Sequence, residues 1–208
     1  MPIKWVVFDA MGVVYKVADD VSDLLIPFLR SKNNSMPLKQ IYTSYIKASL
    51  GQITSLEFWR ALGYGREYPD IQTEFLDKWY VLDADFLGIA NELKEKYKIA
   101  MLSNDLKEWS NFLRNKFNIN RFFEISIISG DVGYRKPDKR IYEVLLNRLK
   151  CPAEECIFID DKLENLRVAS KLGMKTIKFV RSTDKVSFCS EFEISRFKEL
   201  IQVLENFY

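Results

Sequence analysis

The chain has 208 residues, 48% of them hydrophobic, enough to bury one sizeable core with room for a small insertion. With 31 basic against 29 acidic residues, no global field selects nucleic acid or a membrane surface as partner. Histidine is absent, which excludes Ser-His-Asp and Cys-His catalysis and leaves carboxylates, hydroxyls, amides, amines or a metal.

In chain order, Lys4 to Val14 reads as a buried strand that ends in Asp9 and then turns at Gly12. An apolar run with an acid at its C-terminal tip suits a parallel α/β sheet, where ligands gather beyond the strand ends. From about Asp20 to Asp77 the periodicity is helical and no convincing strand intervenes. Leu24, Leu25, Phe28 and Leu29 mark a first helix, and Ile41, Tyr45, Ile46 and Leu50 a second. Ser55 opens a third with Phe58, Trp59 and Leu62, and Ile71, Phe75, Leu76 and Trp79 make a fourth. Tyr42, Tyr45, Phe58 and Trp59 either line a pocket or, as aromatics at helical spacing commonly do, fill the core.

From Asp85 helices and strands alternate. Helix 85–97 precedes strand 99–102, helix 107–117 strand 125–128, helix 138–149 strand 156–159, and helix 163–172 strand 176–180. Ile194, Phe197, Ile201 and Leu204 suggest a closing helix. Repeated helix–strand units imply a parallel sheet, so the helical block is an insertion between its first two strands. Cys151, Cys156 and Cys189 lack zinc-ligand or redox spacing and read as reduced thiols of a cytoplasmic protein. No apolar run approaches membrane-spanning length, and the N-terminus lacks the layout of a signal peptide.

Three of these strands deliver polar residues to one edge: Asp9, then Ser103-Asn104-Asp105, then Asp160-Asp161, while Lys136-Pro137 precedes the Asp138 helix. Converging carboxylates repel unless a cation sits among them, and hard oxygen donors with space for water favour Mg²⁺. Each piece alone has a plainer reading as a turn former, a helix cap or a complement to a helix dipole. Their coincidence is what points to a site.

In order and spacing these residues resemble the four motifs of the haloacid dehalogenase-like (HAD) superfamily. Asp9, Gly12 and Val13 match motif one, Ser103-Asn104 motif two, Lys136 motif three, and Asp160-Asp161 with Asn165 motif four. The resemblance implies a Rossmann-like parallel sheet flanked by helices, built from residues 1–15 and 83–208, with a helical cap over 16–82. It also implies a phosphatase in which Asp9 attacks phosphorus and Lys136 neutralises nucleophile and phosphate. Ser103, Asn104 and Lys136 would bind the phosphoryl group, and Asp9, the Met11 carbonyl, Asp160 and Asp161 would hold Mg²⁺. The implied substrate is a small phosphorylated metabolite; oligomeric state is open, and neither nucleic acid nor membrane is expected.

One position departs from the pattern. Met11 stands where the family carries a second acid, and a thioether transfers no proton. Such a general acid contributes about 10²–10⁴-fold. Tyr15, Asp19 and Asp20 are close enough in sequence to substitute. Family dehalogenases and phosphonate hydrolases also lack that acid, which keeps both chemistries open, the latter with Lys39 or Lys47 as a Schiff-base lysine. A non-catalytic phosphate-binding scaffold is the third reading.

Overall fold

The computed structural model describes residues 2–33, 35–181 and 192–205. Its strands are β1 (Trp5–Phe8), β2 (Lys98–Ser103), β3 (Ile125–Ile128), β4 (Cys156–Asp160), β5 (Lys175–Phe179) and β6 (Phe192–Ile194). They form one sheet in the order β3-β2-β1-β4-β5-β6, with every neighbouring pair parallel. The chain steps outward from β1 to β3 and then returns to the other side of β1. The order therefore reverses between β1 and β4, where open α/β sheets place their ligands.

Between β1 and β2 lie a π-helical turn (Val21–Leu25), α1 (Ile26–Ser31), α2 (Leu38–Ser49), α3 (Ser55–Ala61), α4 (Asp70–Trp79) and α5 (Ala84–Leu93). α6 (Lys107–Lys116) joins β2 to β3, and α7 (Ser129–Val132) and α8 (Lys139–Leu149) join β3 to β4. α9 (Leu163–Lys171) joins β4 to β5, and α10 (Glu199–Glu205) follows β6. Local chemistry sets several starts. Thr54 and Glu57 form a reciprocal capping box on α3, Asp83 accepts the Asp85 amide at α5, and Asp138 accepts the Arg140 amide at α8.

β1 is apolar throughout because both faces of the sheet are covered. Val6 and Phe8 face a cluster that holds Phe86 of α5, Trp109 of α6 and Leu200 of α10. Trp5 and Val7 face the opposite cluster, with Tyr142 of α8 and Leu166 of α9. The first cluster runs on without a break into the inserted helices through Phe28, Trp59 and Phe75.

Two expectations need correction. The closing helix includes neither Ile194, which belongs to β6 and pairs with Phe179, nor Phe197, which lies in the turn before α10. An apolar pair two residues apart, Phe192 and Ile194, fits an edge strand as well as a helix start, and pairing with β5 decides the matter. The first inserted helix is not a uniform α-helix either. Pro27 has no amide hydrogen to give, so the α ladder starts afresh at Ile26 behind a π-helical turn. Among the thiols, Cys151 and Cys156 are free, and Cys189 lies outside the described residues.

Candidate active site

Asp9 emerges directly after β1, and its amide donates to the Ile159 carbonyl of β4 at 2.9 Å. The main chain beyond it folds back tightly: Tyr15 N donates to Ala10 O and Gly12 N to Val17 O. Gly12 has φ +75°, and a Cβ there would overlap the Asp161 carboxylate. Glycine is thus required twice at this position, for its backbone and for the close approach of an acid. Arg181, just past β5, braces the turn by donating to the Gly12 and Val13 carbonyls at 2.9 and 2.6 Å and pairing with Asp83.

The structure brings Lys136 between two strand ends. Its Nζ lies 2.6 Å from Asp9 Oδ1 and 2.7 Å from Asp160 Oδ2, and all three side chains are buried. Asn104 fixes the lysine's main chain, accepting from Lys136 N at 2.7 Å and donating to Lys136 O at 2.9 Å. Asp160 is fully engaged. It accepts from Lys136 Nζ, from Lys162 N at 2.7 Å and from Asn165 Nδ2 at both oxygens.

Asp161 contrasts with its neighbour. Its Oδ1 is buried with no hydrogen-bond partner among the described residues. Oxygens of Asp9, Asp160 and Asp161 lie within 4.8 Å of one another. Burial, then repulsion from Asp160, pushes the Asp9 carboxyl up against the opposing pull of Lys136. Burial, with Asp9 and Asp160 alongside, raises Asp161 as well. Burial works against the Lys136 charge, yet Asp160 and Asp9 outweigh it and hold the ammonium above the usual lysine range. One bridging lysine thus leaves negative charge unmet, and an orphaned carboxylate oxygen points to what is missing. The donor set fits a hard divalent cation.

Above this cluster is a cavity of about 170 Å³ whose wall includes Asp9, Met11, Asn104, Arg135, Lys136 and Lys162. The insertion supplies the facing wall with Asp19, Asp20, Tyr42, Tyr45 and Ile46. Met11 contributes a thioether side chain, not a carboxylate, to this wall. Ser103 is buried at the end of β2 with its hydroxyl unpartnered, one residue behind the cavity wall. Phe58 and Trp59 are fully buried and belong to the core, whereas Tyr42 and Tyr45 reach the cavity.

Sequence reasoning passed over Lys162, Arg135 and Arg181. Lys162 was legible as a cation directly after paired acids, and Arg135 as the residue before Lys136. For Arg181 the only signal was its place at the C-terminal end of a strand.

Comparison with known proteins gives the family and the fold. The model of the haloacid dehalogenase-like hydrolase family matches residues 3–173. A drimenol cyclase from Aspergillus calidoustus is 29% identical over 161 residues, spanning 74% of this chain and 30% of its own length. A glyceraldehyde 3-phosphate phosphatase from Methanopyrus kandleri is 29% identical over 135 residues, spanning 59% of this chain and 56% of its own. The chain therefore covers between 30% and 56% of these curated relatives. Among solved structures, the magnesium complex of a HAD family enzyme from Bacteroides thetaiotaomicron superposes with a TM-score of 0.76. It covers 90% of this chain and 98% of its own at 20% identity, a likeness of fold.

Proposed function

Because the chain belongs to the haloacid dehalogenase-like hydrolases, we propose that it is a Mg²⁺-dependent phosphatase acting on a small phosphate monoester through Asp9. The observation that carries this reading is the buried trio Asp9, Asp160 and Asp161, with Lys136 between two of them and one Asp161 oxygen unpartnered. Asp9, Asp161 and the Met11 carbonyl would hold Mg²⁺. Asp160, whose oxygens are hydrogen-bonded, lends its charge and keeps Lys136 and Asn165 in place. When bound, the cation offsets carboxylate charge and polarises phosphoryl oxygens.

The protein's own groups account for the rest. The Asp9 carboxylate attacks phosphorus, a new carboxyl–phosphorus bond forms, and the ester oxygen departs with its electron pair. Water then hydrolyses the aspartyl-phosphate and regenerates Asp9. Lys136 steers the nucleophile and offsets phosphoryl charge from a site too buried for water to screen it. The Asn104 amide, on the cavity wall, is a donor for phosphoryl oxygens, and the unpartnered Ser103 hydroxyl lies directly behind it. Residues 16–82 act as the cap, and the small cavity they close suits a small substrate.

Names among the relatives support the same reading, since several are glyceraldehyde 3-phosphate phosphatases. A metal-free dehalogenase leaves the buried, unpartnered Asp161 oxygen without a role. A Schiff-base route finds no support in Lys39 or Lys47, which are exposed and off the cavity wall. A cytoplasmic location belongs to the same reading and rests on the odd number and unpatterned spacing of the cysteines in the sequence; no described helix is long and apolar enough to cross a membrane.

The test is turnover of a chromogenic aryl phosphate with Mg²⁺, in chelator, and by Asp9→Asn. Activity that needs both Mg²⁺ and Asp9 is expected. Full activity in chelator, or in the Asp9→Asn protein, would remove the proposal.

A further inference from the structure

We propose that Asp20 is the proton-transfer group of this site, protonating the departing ester oxygen and later taking a proton from the water that attacks phosphorylated Asp9. The proposal rests on the phosphatase reading above and supplies the group that Met11 does not.

Three side chains near Met11 compete for the role, and the structure separates them. Tyr15 is buried off the cavity wall, its ring edge-on to Tyr80 and tilted against Phe117. Asp19 reaches the wall, but its Oδ1 is committed to the Val21 and Ser22 amides at 2.9 and 2.8 Å. Asp20 is buried, lines the cavity and has a partner suited to proton exchange. That partner is the Tyr45 hydroxyl, which donates to Asp20 Oδ2.

The same hydroxyl lies 3.3 Å from the Asn104 carbonyl. One phenol hydrogen therefore has two acceptors in reach. With Asp20 ionised, the phenol donates to the carboxylate. With Asp20 protonated, the acid donates to the phenol oxygen, and the phenol hydrogen is free to turn to the Asn104 carbonyl. Each protonation state keeps a hydrogen-bonded arrangement, as a group that cycles between them requires. The line continues from Asn104 to the Lys136 main chain and from Lys136 Nζ to Asp9. Asp20 is thus tied, across the wall of one cavity, to the nucleophile it would serve.

Its surroundings suit the task. Facing it are Asp19 from its own segment, Tyr42 and Tyr45 from α2, and Tyr80 after α4. Asp105 after β2, Arg135 before α8 and Lys162 before α9 complete the charged shell. Burial pushes Asp20 up to about 6, with Asp19 adding to the rise and Tyr45, Arg135 and Lys162 restraining it. A carboxyl in that range is available both as acid and as base near neutral pH.

The experiment compares an alkyl phosphate with an aryl phosphate, with Mg²⁺, in wild type, Asp20→Asn, Tyr45→Phe and Asp20→Asn/Met11→Asp. Asp20→Asn is isosteric, and its melting temperature and Mg²⁺ affinity report whether the fold survives. The expected result is a loss of about 10²-fold in kcat for the alkyl ester, at least tenfold greater than for the aryl ester. In wild type, kcat for the alkyl ester falls as pH rises past the Asp20 range. Tyr45→Phe moves that limb to higher pH, because the lost hydrogen bond favoured the ionised acid. Met11→Asp in the Asp20→Asn background restores alkyl turnover. An equal loss on both esters, or alkyl turnover at the wild-type level in Asp20→Asn, overturns the role of Asp20 while Asp9-dependent aryl turnover leaves the phosphatase reading standing. A folded, Mg²⁺-bound wild type that turns over neither ester overturns both.

Discussion

Met11 and Asp20 together decide what substitution should do at the residue scale. Met11→Asp places a carboxylate on the wall of the same cavity as Asp20. The expected outcome is a gain in alkyl phosphatase activity below the ceiling of about 10²–10⁴-fold, because no surrounding shell orients the new carboxylate. The gain should depend on Mg²⁺, since the added charge crowds Asp9 and Asp161, whose charge is already unmet. It should also be larger in the Asp20→Asn background than in wild type, where one proton donor is already present. Steady-state rates of the four proteins on both esters check this. Stability gives a second reading of Asp20. Its carboxyl binds a proton more tightly in the folded chain, at about 6 against 3.8, so its contribution is full below about pH 4 and lost as pH rises through 6. At about 1.4 kcal/mol per pH unit, the loss is on the order of 3 kcal/mol. Urea melts at pH 4 and 7 should therefore show Asp20→Asn gaining on wild type as pH rises. Asp9, Lys136 and the Asp160-Asp161 pair were legible from sequence because each falls at a strand end or helix start. The pairing of Asp20 with Tyr45 was not, since the partners stand on separate segments and neither sits in a motif.

At the scale of elements, the site is a set of strand ends held by braces that periodicity does not reveal. Most helices and strands were legible from apolar spacing, and β3 (Ile125–Ile128) falls where it was expected. β6 was missed because three residues are too few for alternation to speak, and its pairing with β5 supplies the information instead. Arg181 was missed for a similar reason. A single arginine after a strand has no pattern, yet it ties the Gly12–Val13 turn to Asp83, the residue that caps α5. Arg181→Met keeps much of the side chain's length and removes its donors. Two carbonyls and a carboxylate then lose their partner in a half-buried place, at a cost of about 1–3 kcal/mol for each group left unsatisfied. We expect a lower melting temperature and a fall in kcat larger than stability alone explains, because the turn directly follows Asp9, the proposed nucleophile. Thermal melts and kinetics at a temperature where the variant remains folded distinguish the two effects.

At the scale of the whole molecule, one of the two apolar clusters flanking the sheet passes into the inserted helices. In the sequence, helical periodicity from about Asp20 to Asp77 gives way to helix–strand alternation from Asp85, which reads as an insertion in a parallel sheet. Periodicity reports which residues of an element are apolar, not what they meet. In the structure, Trp109 of α6 packs against Phe58, Trp59 and Phe75 of the insertion, with ring centroids 5.1–6.1 Å apart. Gln72 of α4 accepts from both indoles, Trp59 Nε1 at 3.2 Å and Trp109 Nε1 at 2.8 Å. Separating the insertion from the sheet would expose those rings and break the hydrogen bond from Trp109 Nε1 to Gln72, which crosses between them. The wall that carries Asp20 and Tyr45 is consequently fixed to the floor that carries Asp9, which favours precise placement of an acid over wide opening. Trp109→Ala removes the shared ring and should cost about 3–5 kcal/mol. Gln72→Leu keeps a side chain of similar size but removes the amide whose oxygen accepts from both indoles, and should cost about 1–3 kcal/mol through the donors it strands. If insertion and sheet share one core, wild type unfolds in a single transition, and tryptophan fluorescence and far-ultraviolet dichroism report the same midpoint. Two separated midpoints in wild type would show that the insertion melts by itself and that the continuous cluster does not couple it to the sheet.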